Sequence, residues 1–454
     1  MSQNKSYQFV YFFTLIVFFG EFINIPFNTG IKPSTIIIDS CYIIMFTVSI
    51  IHVLKERKVK IDNFLIFYGW LFVSYLILFL VGNESLYTKF LSLRDKVVYL
   101  FIAVFIYKFV NTEKNIDKLL KILLNLGIIF ALIGIVQYIF RNQLPVWLLT
   151  PKNTELFTYY GTDIIRSTGL LGNTIIYGNI MLLFFSIFAH KFFDSFTKYH
   201  FLGVLVTGIA ILTSFSRMAI GGTLIIFTFC LFNLLRKKIT KRKFLLLYMC
   251  FSLVIISGLL ILSSTQMREN IENSFIVNGL LKGNNASVQR STDIHFDFIY
   301  YSLKILSESD NLLFGVGIGT QREGSNYSQT YVYITDSALF STLLELGVVT
   351  FIIYSLVVLN AVWYVYKSRK ISKYNYLASG FLAFSIYEFL FANVINSSFL
   401  GKTSYIIYWI FLGIIISAYK INTNKVNEKL ERNHEKVSSF PRNRSLNHRI
   451  VMIR

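Results

Sequence analysis

The chain has 454 residues, 54% of them hydrophobic and 15% charged, with a mean hydropathy of +0.56. Soluble domains carry about a quarter charged residues, so a water-soluble enzyme of one or two domains is excluded, and the 45 Phe and 28 Tyr argue the same way. The net charge of +20 does not point to nucleic acid. The basic residues sit in short loops between apolar runs, without interleaved aromatics, as cytoplasmic loops of membrane proteins do.

A helix needs roughly 20 mostly apolar residues to cross the hydrocarbon core, and a helix satisfies its own backbone polar groups in lipid. The sequence therefore predicts an all-α, polytopic membrane helix bundle over 1–420 with about twelve transmembrane helices. In chain order the expected spans are 9–27, 34–54, 63–82, 90–110, 119–140, 175–193, 201–214, 218–235, 244–263, 338–366, 376–398 and 404–420. The fourth and seventh are short of ideal or partly polar. The first run follows a single Lys5 and no small-residue cleavage site, so it reads as a retained span. Cys41, Cys230 and Cys250 all lie in apolar stretches, which argues against a disulfide framework.

Placing both termini in the cytoplasm puts the basic clusters Lys55–Lys60, Arg236–Lys243 and Lys367–Lys373 on one face of the membrane. The tail, 421–454, is polar, basic and poor in aromatics, and is expected to be a mostly disordered cytoplasmic extension. Two external segments, 141–174 and 264–337, exceed the roughly 12–15 residues of an ordinary connector. The second is expected to hold the catalytic loop and a short amphipathic helix with Ile294, Phe298, Tyr301 and Ile305 on one face.

Three external arginines stand in unusual settings: Arg166 before the sixth span, Arg217 in the polar break Thr213-Ser-Phe-Ser-Arg217, and Arg290 ahead of the amphipathic stretch. A guanidinium offers a planar fork of donors suited to phosphate oxygens, so the three are candidates for holding a pyrophosphate without a metal. The plainer alternative for each is an interfacial arginine that snorkels or pairs with a carboxylate. Asp336, at the start of the tenth span, can accept a proton from a sugar hydroxyl or cap the helix. Glu345, nine residues on and about 180° round an ideal helix, reads as a buried structural partner. Glu388, mid-span, must face a partner or a cavity, and the sequence names neither. Gly315-Val-Gly-Ile-Gly319 follows no βαβ pattern and lacks a Lys-Ser/Thr, so it is read as a flexible turn and not a nucleotide loop. His295, alone outside, is weak as a ligand or base.

The order Arg166…Gly169…Gly172-Asn173, Thr213-Ser-Phe-Ser-Arg217 and then Arg290 resembles the O-antigen ligase and polymerase superfamily. So do Asp310-Asn-Leu-Leu-Phe-Gly-Val-Gly-Ile-Gly319 and the spacing Asp336-Ser…Leu343…Glu345…Gly347, which falls where that family has His-Asn…Leu…Glu…Gly. The resemblance covers roughly 160–350. It implies a metal-independent, cofactor-free, inverting glycosyltransferase acting at the outer face of the bacterial plasma membrane on undecaprenyl-pyrophosphate-linked glycans. Asp336 in place of the ligase-type histidine shifts the expectation from ligase to polymerase of surface repeat units. Arg166, Arg217 and Arg290 would then hold the donor pyrophosphate and Asp336 would be the acceptor's general base. Tyr159, Tyr160, Tyr331 and Tyr333 would serve as sugar platforms or interfacial anchors. The substrates and the bilayer are the expected partners, with a chain-length regulator and a flippase as further ones. The alternatives are an O-antigen ligase and, from a different class, a flippase for the same lipid-linked sugars. Transporters of that kind are expected to show repeat symmetry and midplane charges. The charged candidates here gather on the outer side instead.

Overall fold

The computed structural model describes residues 3–24, 32–55, 62–140, 143–145, 166–236, 297, 299–307, 312–321, 325, 337–395 and 401–438. Among these there is no strand, and the protein is an all-α polytopic membrane protein. In chain order the helices are α1 (Gln3–Asn24), α2 (Pro33–Lys55), α3 (Asn63–Val81), α4 (Leu86–Leu93), α5 (Phe101–Phe109), α6 (Glu113–Ile139), α7 (Thr174–Ser195), α8 (Lys198–Thr213), α9 (Arg217–Arg236), α10 (Ala338–Ser368), α11 (Asn375–Tyr387) and α12 (Lys402–Ser438). Each expected span coincides with a described helix except 244–263, which lies outside the described residues. The fourth span is α4 and α5 joined through a π-helical turn, Arg94–Val98. A second π-helical turn, Glu388–Ala392, extends α11.

Caps set the helix starts. Asp62 accepts from the Leu65 N–H at 3.0 Å, Ser85 from Thr88 at 3.2 Å, Thr112 from Asn115 at 3.4 Å and Asn173 from Ile175 at 2.8 Å. Burial then sorts the helices. The apolar window of α12 is 83% buried, whereas those of α2 and α3 are 22% and 28% buried. A helix apolar all round belongs in an interior; α7 is buried to the same degree as α12, in which Tyr405 to Leu412 are almost fully enclosed. α12 packs closely on α5, where a Cβ on Gly413 would lie 2.9 Å from the Ala103 carbonyl oxygen. α2 and α3 form the outer wall and turn Ile43, Trp70 and Leu80 outward, as suits lipid.

The helix ends gather into two groups. One group joins Lys402 to Thr35 at 2.9 Å and Arg166 to the end of α8. The opposite group is a belt of ion pairs: Lys420 with Asp62, Lys425 with Glu113 at 2.5 Å and Lys373 with Asp117 at 2.7 Å. The Asp117 carboxylate, hydrogen-bonded to Lys373, holds that ammonium above its ordinary range.

Two expectations need correction. The last helix does not stop at 420: α12 continues to Ser438, so the first part of the tail is helical. No Gly or Pro interrupts the chain between Gly413 and Pro441, and the Lys425–Glu113 pair ties the extension to α6. The short helix expected near 294–305 does form, over 299–307, but its buried residues are Ser302 and Leu306, while Tyr301 is exposed. Its inner face is turned by one residue from the one the apolar pattern suggests, and a polar Ser sits on it. Ile294 and Phe298 lie outside the described residues.

Candidate functional site

Arg166 opens a loop held from three sides. The Ser167 N–H donates to the Thr213 carbonyl at 3.0 Å, and its hydroxyl donates to the Gly134 carbonyl at 2.7 Å. The Thr168 and Gly169 N–H groups both donate to Oε1 of Gln137, at 3.1 and 2.8 Å. Gln137 is buried on α6, and its amide does for this loop what a neighbouring strand would otherwise do: it satisfies backbone donors away from water. Asn173 ends the loop by capping α7.

Arg166 itself reaches across to the adjacent turn. Its Nε donates to the Ser214 carbonyl at 3.0 Å, and Nη2 lies 3.4 Å from the Phe215 carbonyl. Those carbonyls close α8, where the helix dipole is negative. The neighbouring residue Phe215 has φ +49°, and Leu170 in the Arg166 loop has φ +70°. Left-handed backbone at bulky residues is costly and collects at functional turns. Ser216 then accepts from the Ala219 N–H at 3.4 Å and starts α9, whose first residue is Arg217. Arg166 and Arg217 are therefore brought to one turn, and Arg166 braces the backbone that carries Arg217. The backbone carbonyls of Ser214 and Phe215 are among the partners of Arg166.

Glu345 lies on α10 in a built ion-pair site. Lys96, in the first π-helical turn, donates to its Oε2 at 2.5 Å, Ser92 donates to the same oxygen at 3.0 Å, and the Gln321 N–H donates to Oε1 at 3.2 Å. The expected buried structural role is what the carboxylate has, and its partner, Lys96, was not legible in the sequence. Just beyond it α10 breaks at Gly347, with φ +66° and ψ 177°. Gly315-Val-Gly-Ile-Gly319 fits against this break and is no flexible turn. Val316 and Gly317 N–H groups donate to the Leu344 and Glu345 carbonyls at 2.9 and 3.3 Å. Val348 and Val349 donate back to Leu312 and Leu313 at 3.0 and 3.2 Å. Gly347 and Gly315 meet backbone to backbone, and a Cβ on Gly347 would stand 2.3 Å from the Gly315 nitrogen. Only glycine fits both the positive φ and the contact.

A glycine-rich segment stitched into a broken helix, and a turn at which Arg166 and Arg217 come together, are among the features that carried the family resemblance. Residues 202–355 match the O-antigen ligase family model. The match runs from α8 into α10 and takes in Arg217, Arg290, Asp336, Glu345 and Gly347; Arg166 and Glu388 lie beyond it. No curated protein matches the chain. The O-antigen ligase match points to a glycosyl-transferring membrane enzyme, ligase or polymerase, with a lipid-linked glycan as substrate.

Arg290, Asp336, His295 and the tyrosines Tyr159, Tyr160, Tyr331 and Tyr333 fall outside the described residues. Their neighbour Ser337 is described. It caps α10, accepting from the Phe340 N–H at 3.2 Å, and donates to the Asn393 carbonyl at 3.0 Å. The N-cap of α10 is thus filled by Ser337.

Glu388 is the remaining singled-out carboxylate. It is 0% exposed and lies in the second π-helical turn, with Asn179 of α7 beside it. Among the described residues neither Glu388 oxygen is in a well-formed hydrogen bond, and neither is either polar atom of Asn179. The two side chains meet at the edge of hydrogen-bonding range.

Proposed function

We propose that this protein polymerises undecaprenyl-pyrophosphate-linked oligosaccharide repeat units at the outer face of the bacterial plasma membrane. The observation that carries the proposal is the convergence of Arg166 and Arg217 on the single turn Ser214–Arg217, within a chain that matches the O-antigen ligase family over 202–355. Donor-only guanidinium groups on a braced backbone suit a leaving pyrophosphate, whose negative charge grows as the glycosidic bond breaks. Arg290 adds a third such group in this proposal.

In the reaction, a hydroxyl of the acceptor repeat unit attacks the anomeric carbon of the donor glycan. The carbon–oxygen bond to pyrophosphate breaks, Asp336 takes the hydroxyl proton, and the lipid pyrophosphate leaves. No metal is required, because the arginines supply the positive charge. Asp336 in place of the family's histidine supports polymerase over ligase; the family description itself favours ligase.

The test is a purified assay with lipid-linked repeat units. The wild type should give a ladder of lengthening chains, whereas transfer of preformed glycan to another acceptor without a ladder would make the protein a ligase. Asp336→Asn should lower the rate by about 10²–10⁴, the usual worth of a general base, and Asp336→His should restore part of it. A wild-type rate from Asp336→Asn would remove Asp336 from the mechanism.

A further inference from the structure

We infer that Glu388, Asn179 and Asn393 form a buried hydroxyl-binding subsite that receives the acceptor sugar beneath the arginines. The inference rests on the polymerase reading above and assigns residues to its acceptor.

The three side chains are 0%, 4% and 4% exposed. Their unpartnered atoms are both Glu388 oxygens, Asn179 Oδ1 and Nδ2, and Asn393 Oδ1. Native proteins satisfy nearly all buried polar groups, so five atoms without a well-formed bond on Glu388, the Asn179 beside it and the Asn393 that closes its π-helical turn need a reason. A carboxylate inside a membrane bundle is costly and is normally kept for a substrate or a proton. Chance placement is a poor account here, because the backbone itself is reshaped. Glu388 begins a π-helical turn in which the Asn393 N–H donates to the Glu388 carbonyl. That inserts an extra residue into the helix, and such bulges recur at functional sites.

The position also fits. Glu388 lies seven residues before Ile395 and Asn179 five after Thr174, roughly 10 Å and 8 Å below those helix ends at about 1.5 Å per residue. Both ends belong to the side of the bundle that carries Arg166. Asn393 adjoins Ser337 through its own carbonyl, and Ser337 follows Asp336 in the chain. Gly178, next to Asn179, packs on Ser214 and Ser216, the turn that Arg166 braces.

The chemistry then selects the ligand. Four of the five orphaned atoms are acceptors and one is a donor. A phosphate brings acceptors alone and would be repelled. Sugar hydroxyls bring one donor each and match the set. The site thus divides: donor-only arginines near the helix ends for the pyrophosphate, and acceptor-rich side chains one to two turns deeper for hydroxyls.

The experiment uses the full-length protein in nanodiscs and two probes: inorganic pyrophosphate, and the repeat-unit oligosaccharide released by mild acid from cells lacking this gene. Glu388→Gln keeps size and removes the charge; Asn179→Ala and Asn393→Ala are independent variants. Each should weaken oligosaccharide binding about tenfold or more, the worth of a charge-assisted or buried hydrogen bond, and raise the acceptor KM in parallel. Pyrophosphate affinity and thermal unfolding should stay at wild-type values. Arg217→Lys should do the reverse, weakening pyrophosphate and sparing the oligosaccharide. Unchanged acceptor KM and oligosaccharide affinity in all three variants, with polymer still made by the wild type, would overturn the subsite and leave the polymerase reading standing. Equal loss of both probes would also overturn it, because that is the signature of a general structural role. No glycan transfer at all by the wild type would instead sink the polymerase reading.

Discussion

Two glutamates sit deep in this bundle, each bound up with a π-helical turn, and they have opposite surroundings. Glu345 meets an ammonium, a hydroxyl and a backbone N–H: Lys96, Ser92 and Gln321. Glu388 meets Asn179 at the edge of hydrogen-bonding range, and neither of its oxygens has a partner among the described residues. The difference teaches how to read a buried charge. Where every lone pair is answered, the group belongs to the architecture: Glu345 anchors α4 to α10 next to the break at Gly347. Where the lone pairs are open, the group is available to something that enters.

The comparison breaks hardest at Lys96. Lys96→Met leaves Glu345 buried without its cation, which should cost about 3–5 kcal/mol and deplete the protein from the membrane. The double variant Lys96→Met with Glu345→Leu should recover most of that stability, since an apolar pair of similar volume replaces a buried ion pair at little cost. Thermal unfolding of the purified proteins would check both. If the single and double variants melt together, Glu345 is not held by Lys96. Glu388→Gln, by contrast, should leave the melting temperature in place.

A smaller effect is expected at Gly347→Ala. A positive φ with ψ near 180° is essentially reserved for glycine and costs a side chain about 1–3 kcal/mol, and the new Cβ would run into the Gly315 nitrogen. The expected outcome is a lowered melting temperature together with easier proteolysis within 312–321, because the segment loses its seat. Wild-type melting would show that the two glycines are not wedged together as described.

The smallest effect sharpens the view of Asp336. Ser337→Ala removes the α10 cap and should cost about 1 kcal/mol, while Asp336→Ala should leave the melting temperature unchanged. Stability loss at 336 and none at 337 would return Asp336 to a capping role.

Much of this was legible in the chain. Apolar run lengths located the helices from α1 to α12, apart from the far end of α12, and Arg166 and Arg217 were singled out by their positions at polar breaks. The partners were not legible. Lys96 is 249 residues from Glu345, and its span looks like any partly polar apolar run. Gln137 reads as one polar residue on an apolar helix, yet it holds the Arg166 loop. The helical reach of α12 to Ser438 was hidden by a composition that reads as disordered tail.

The sequence by itself determined that this chain lives in a bilayer, because hydropathy and run length are local sums over neighbouring residues, and lipid accepts only helices or closed barrels. It also determined which arginines end helices, because turn chemistry is local too. Only the tertiary structure decided that Arg166 braces the Arg217 turn, that the glycine-rich segment seals a broken helix, and that Glu345 is answered while Glu388 is open. Those outcomes depend on which helix faces which, and side-chain pairing across a bundle is set by packing between elements far apart in the chain.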